Sequence, residues 1–202
     1  MYKEYLVLIV VLFSFGSFPH DQDNQGITKA RTRNFIYWEN MNTEQQVEYL
    51  DTNEIDKNIL ALFEGKFRMN DDEVAYTLLD TLVSVNNSRD KNAAFYFFLF
   101  NRVCLNADGS MSEMLGAYCQ KMLLNMPEYV ICYLEQDRDI LRAYAKILGY
   151  EFYFKEKGTS SVKYNYSEFK SMLCRRLNSK PEYDEVLRIF FGEIKSVIDK
   201  MN

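Results

Sequence analysis

Residues 90–106 read "DKNAAFYFFLFNRVCLN", and the choice between helix and strand for this stretch decides the fold. Positions 93–100 are apolar without a break. Such a run belongs either to a buried strand or to a helix enclosed on all sides, and periodicity alone does not separate the two. Length does, because an ordinary strand has about 5–6 residues. The paired alanines at 93 and 94 also favour helix, and Asp90 suits an N-cap. The stretch therefore predicts a helix surrounded by neighbours, with its aromatic side chains acting as core rather than as a ligand box.

Working towards the N-terminus, "NDDEVAYTLLDTLVSVNN" (70–87) starts with an N-cap residue, Asn70. Asp71, Asp72 and Glu73 then complement the positive end of a helix dipole, which explains three consecutive acids without a metal. Val74, Leu78, Leu82 and Val85 form its apolar stripe, and Asn86 or Asn87 suits the left-handed stop. Before it, "TEQQVEYL" (43–50) and "EIDKNILALFEGKF" (54–67) are also helical, the second carrying Ile55, Ile59, Leu62 and Phe63 at helical spacing.

Towards the C-terminus, "NADGSMSEMLGAYCQKMLLNMP" (106–127) offers a turn at Asp108-Gly109 and a capping box from Ser110 to Glu113. Its acids and glycine do not fall at the positions of a calcium-binding loop. Pro127 fits the first turn of the next helix. After Asp137, Ile140, Leu141, Tyr144, Ile147 and Leu148 mark another helix. The longest break in the folded part is "KEKGTSSVKYNYS" (155–167). Tyr150, Phe152 and Phe154 alternate just before it, so the reading admits a small β-hairpin near 150–166 beside a loop after a fraying helix. "PEYDEVLRIFFGEIKSVIDKM" (181–201) closes the chain with a stripe of Tyr183, Leu187, Phe190, Ile194, Val197 and Met201.

Only 3 Pro and 8 Gly interrupt these segments, few for a sandwich or barrel. The expected fold is all-α: a single domain over 43–202 of stacked antiparallel αα-hairpins, forming a helical bundle or a short solenoid-like array. No internal repeat signature assigns it to a solenoid family.

The N-terminus carries a different signal. "LVLIVVLFSF" (6–15) is too short to span a bilayer, which needs about 20 apolar residues. It matches the apolar region of a secretory signal peptide, with Lys3 before it and small residues Ser14 and Gly16 at cleavage spacing. The expectation is a signal peptide over 1–16, export to a periplasm or the cell exterior, and a flexible arm over 17–42. The end of that arm, "NFIYW" (34–38), is expected to dock on the domain. An uncleaved, buried N-terminal helix is the competing reading. No membrane span is expected in the mature chain.

The net charge is −5. Acidic residues concentrate in 39–90 and basic ones in 139–176. The overall acidity and the expected compartment argue against nucleic acid as a partner.

His20 is the only histidine, which removes Ser-His-Asp and Cys-His arrangements and most zinc sites. The cysteines at 104, 119, 132 and 174 show no paired CxxC spacing, and there is no glycine-rich phosphate loop. No catalytic residue, cofactor or metal is therefore assigned. In an oxidising compartment Cys119 and Cys132 are the candidate disulfide, because they lie about equally far from the 125–127 turn; buried free thiols are the alternative. "NNS" (86–88) and "NYS" (165–167) match glycosylation sequons, but both fall where Asn and Ser serve helix ends.

Two functional classes stay open. One is a non-catalytic module that binds a protein: an adaptor, inhibitor or immunity-type protein. The other is a small carboxylate-dependent hydrolase of extracytoplasmic glycan, which requires a cleft holding two carboxylates. For the first class, the partner-binding candidates are Lys155, Lys157, Lys163, Tyr164 and Tyr166, within the aromatic and positively charged span 150–170. The competing reading of that span is core aromatics beside a solvated loop.

Overall fold

A computed structural model describes residues 35–69, 73–85, 91–158 and 162–202. Among them the chain is all-helical, with no strand. In chain order the α-helices are α1 (Thr43–Thr52), α2 (Lys57–Phe63), α3 (Glu73–Val83), α4 (Lys91–Leu105), α5 (Gly109–Asn125), α6 (Pro127–Gln136), α7 (Arg138–Glu156), α8 (Tyr166–Arg176) and α9 (Asp184–Met201). Single 3₁₀ turns stand at Trp38–Asn40 and Pro181–Tyr183. The expected signal peptide, the arm up to residue 34, and the roles given to Asn70, Asn86, Asn87 and Asp90 lie outside the described residues.

Side-chain caps set most helix starts. The Asn42 side chain accepts from the Gln45 amide while Gln45 returns the bond, and Asn165 and Glu168 repeat this box at α8. Asp56 and Asp137 cap α2 and α7, and Pro127 opens α6. At α5 the expected Ser110–Glu113 box gives way to an earlier cap. Asp108 accepts from the Met111 amide at 3.0 Å, so Gly109 is already the first helical residue.

α7 is the hub, packing against α9, α5, α4 and α6. α4 is enclosed on most of its circumference: Ala93, Ala94, Phe95, Phe97, Leu99, Phe100, Val103 and Cys104 are buried, while Tyr96 and Phe98 of the same run are half-buried. Burial of each large side chain is worth about 1.5–3 kcal/mol, so this one helix carries a large part of the core.

The packed unit begins before Thr43. Trp38 is 3 % exposed and lies with its ring 4.7 Å from Phe95 and 5.4 Å from Tyr49. Tyr37 donates to the Tyr129 carbonyl at 2.9 Å, and Tyr129 donates to the Ile36 carbonyl at 2.7 Å. This reciprocal pair pins residues 36–37 onto α6.

The span 150–166 corrects one expectation. Its described residues contain no β-hairpin, because α7 continues to Glu156. The apparent alternation of Tyr150, Phe152 and Phe154 is a coincidence of a helical face: Leu148 and Phe152, one turn apart, are both fully buried while Tyr150 and Phe154 are not.

Candidate interaction surface

Lys155 and Lys157 stand at the end of α7, and Lys163, Tyr164 and Tyr166 stand at the approach to α8 and in its first turn. Lys157 caps α7, its amide bonding the Phe154 carbonyl at 3.1 Å. Gly158 follows at φ +80°, a conformation that frees the chain from the helix and favours glycine. Val162 is buried and anchors the far side of the connection. Buried Gln120 of α5 then grips the Tyr164 backbone from both sides, donating to its carbonyl at 2.9 Å and accepting from its amide at 3.3 Å. Asn165 starts α8 immediately afterwards.

This framework sets the side chains in a repeated arrangement. The Lys157 ammonium stands 5.3 Å from the Tyr153 ring centre, Lys163 5.2 Å from Tyr164, and Lys170 5.2 Å from Phe191. All three lysines are exposed, and Lys155 is half-buried beside them. An ammonium over an aromatic face gains about 0.5–1 kcal/mol at an exposed site. The stretch also carries acids: exposed Glu156 stands between Lys155 and Lys157 in the chain, and Glu168 accepts from the Asn165 amide in the α8 capping box.

Tyr166 has a different place from the other four. Its ring packs edge-on against Phe152 and Phe191, its hydroxyl donates to the Phe191 carbonyl at 3.4 Å, and burial pushes that hydroxyl upward while Lys195 opposes the shift. It fastens α8 to α9. Phe152 and Phe169 are core residues with no exposure. The surface is thus drawn by Lys155, Lys157, Lys163 and Tyr164, with Tyr153 and Lys170 added by the structure. Tyr153 is legible as a platform only once α7 is known to run to Glu156 with Lys157 as its cap, four residues on from Tyr153.

No sulfur–sulfur bond joins the four cysteines in this structure, and Cys119, expected to pair with Cys132, faces α4, where its Sγ lies 3.8 Å from that of Cys104. Matching height across the 125–127 turn is not enough, because the side-chain directions of α5 and α6 decide which sulfurs meet. Cys132 lies instead beside Tyr37.

Two cavities accompany this framework. One, of about 230 Å³, lies between the start of α5 and the second half of α7, walled by Ser112, Glu113, Lys146, Tyr150 and Phe154. The other, of about 220 Å³, is walled by Leu62, Phe67, Leu99, Arg102 and Val103 among others. Glu113 is the single carboxylate on the first wall and the second wall has none, so neither presents a carboxylate pair. Among the described residues no cluster of His, Cys, Asp and Glu is arranged to hold a metal ion, and no helix is long and apolar enough to cross a membrane.

Comparison of the chain with protein families, characterised proteins and solved structures finds no match.

Proposed function

We propose that this protein is an exported, non-catalytic interaction module of successive αα-hairpins, and that it binds an acidic protein partner through the lysine–tyrosine surface at the α7–α8 junction. The observation that carries this reading is the seating of Lys157 and Lys163 on the rings of Tyr153 and Tyr164. A lysine held over a ring has already lost part of its rotational freedom, so less is lost when it meets a carboxylate. Tyrosine supplies apolar area with a hydroxyl that stays wet, a combination enriched at interfaces. The positive edge of an otherwise acidic chain also steers an acidic partner to this side during encounter. An adaptor, inhibitor or immunity-type role fits these properties, and none of them involves a reaction.

The test is charge reversal with a matched control. Lys155→Glu/Lys157→Glu/Lys163→Glu is compared with Lys66→Glu/Arg68→Glu/Lys121→Glu, which changes the net charge equally elsewhere. Capture of a partner from the native extracytoplasmic fraction is measured at low salt, where screening is weakest. The first variant is expected to lose at least tenfold in binding with an unchanged far-ultraviolet spectrum, while the control keeps it. Undiminished capture by the first variant overturns the site.

A further inference from the structure

We propose that Cys104 and Cys119 are the residues joined by a disulfide when this chain folds under oxidising conditions. This covalent site lies in the core and does not depend on the interaction surface or on any partner.

The four cysteines sort by position. Cys104 of α4 and Cys119 of α5 are 3 % and 0 % exposed, and their sulfurs are in contact at 3.8 Å. Tyr144 of α7 stands close to both. Cys132 is half-buried near Tyr37, and Cys174 is half-buried on α8 near Lys170 and Asp184. A disulfide requires an Sγ–Sγ distance of about 2.05 Å. Sulfurs already in contact at 3.8 Å are the pair from which that distance is reached with the smallest adjustment of side chains and backbone. The two cysteines are 15 residues apart in sequence, on helices joined through Asn106–Asp108, so the bond closes a short loop.

The reaction is a thiol–disulfide exchange with a small-molecule disulfide such as oxidised glutathione. One cysteine thiolate attacks the reagent and expels one thiol; the second cysteine displaces the other. The protein gives up two protons and two electrons, and the reagent leaves as two thiols. Burial, the Cys104 sulfur and the nearby Glu151 all push the Cys119 thiol upward in the folded state. Native protein therefore resists the exchange, and the bond forms during folding.

Trypsin separates the possibilities cleanly, because cleavage after Arg102 and Lys121 places both residues in one peptide, 103–121, while Cys132 falls in 122–138. The reduced, denatured full chain is refolded in a buffer of oxidised and reduced glutathione, quenched with iodoacetamide under denaturing conditions, and digested. Peptide 103–121 is expected without alkylation and two hydrogens lighter than its dithiol form. Cleavage after Glu113 should then leave two fragments that separate only on reduction. The oxidised protein should melt about 6–12 °C above the reduced one, from the loop that the bond closes and the size of the domain. This difference should persist in Cys132→Ala and vanish in Cys104→Ala. Full alkylation of peptide 103–121, glutathione adducts alone, or a link from Cys119 to peptide 122–138 overturns the proposal.

Discussion

Gly149 of α7 lies directly against Val197 of α9: a methyl group at position 149 would stand 2.6 Å from the Val197 Cβ and 3.1 Å from the Ile194 carbonyl. Neither neighbour is the free end of a flexible chain. The extensive pairing of α7 with α9 therefore depends on the absence of a side chain at one position.

Gly149→Ala should lower stability by about 1–3 kcal/mol, the usual cost of overpacking, despite alanine's better helix propensity. Gly192 of α9 provides the contrast. It is exposed, has ordinary helical geometry, and a methyl group there meets nothing within 4 Å. Gly192→Ala should raise stability by about 0.5–1 kcal/mol. Urea denaturation of both variants checks the opposite signs.

A second stability effect comes from the buried hydrogen bond between Tyr144 and Asn101. The Tyr144 hydroxyl donates to Asn101 Oδ1 at 2.9 Å, and both residues are buried. Tyr144→Phe should cost about 1–3 kcal/mol, because it leaves the Asn101 carbonyl oxygen without its donor. Adding Asn101→Leu should cost less than the sum of the two single changes, measured as a double-mutant cycle in urea.

Alkaline conditions should unfold the protein in a single step. Burial holds the hydroxyls of Tyr37, Tyr129, Tyr133 and Tyr144 well above the ordinary tyrosine value of 10.0. Below pH 10 these groups are neutral in both folded and unfolded chains and contribute no pH dependence. Above it the unfolded chain releases protons that the folded one retains, so stability falls as pH rises. The part of the tyrosinate absorbance near 295 nm that comes from these four buried residues should therefore appear only with the loss of helical circular dichroism, as a second rise after that of the exposed tyrosines. Completion of the full absorbance rise of all 15 tyrosines before any loss of helix would contradict this.

Ser179 has φ +48° in the turn that follows α8, next to Asn178 at +56°. Asparagine tolerates this left-handed region, whereas serine is strained there. Ser179→Gly should raise stability by about 0.5–1 kcal/mol, read as a higher thermal midpoint of a few degrees.

Helix positions were largely legible because their causes are local. Apolar spacing, Asp or Asn caps and Pro127 act within a few residues, and the enclosed character of α4 follows from a run with no polar face. Two local readings failed for reasons that were also physical. α5 starts earlier than its Ser110–Glu113 spacing suggests, because Asp108 caps it by accepting from the Met111 amide. Alternation at 150–154 admitted a hairpin beside a loop, whereas the segment is helical to Glu156 with Phe152 packed on Tyr166 and Phe169 of α8.

The candidate surface was partly legible. Lys155, Lys157, Lys163 and Tyr164 fall within ten residues at the end of α7 and the approach to α8, and that proximity is readable in the chain. The inward turn of Tyr166 was not legible, since Phe191 lies 25 residues away and only the α8–α9 packing brings them together. The cysteines show the same limit: equal distance from a turn suggested Cys119–Cys132, whereas rotation of α5 about its axis faces Cys119 to Cys104. Sequence by itself determined that this chain forms helices, roughly where each begins, and which residues are apolar enough to be buried. Tertiary structure alone decided which buried faces meet, because that choice depends on side-chain volume at close approach, such as the missing methyl group of Gly149, and volume complementarity between distant segments leaves no local mark in the chain.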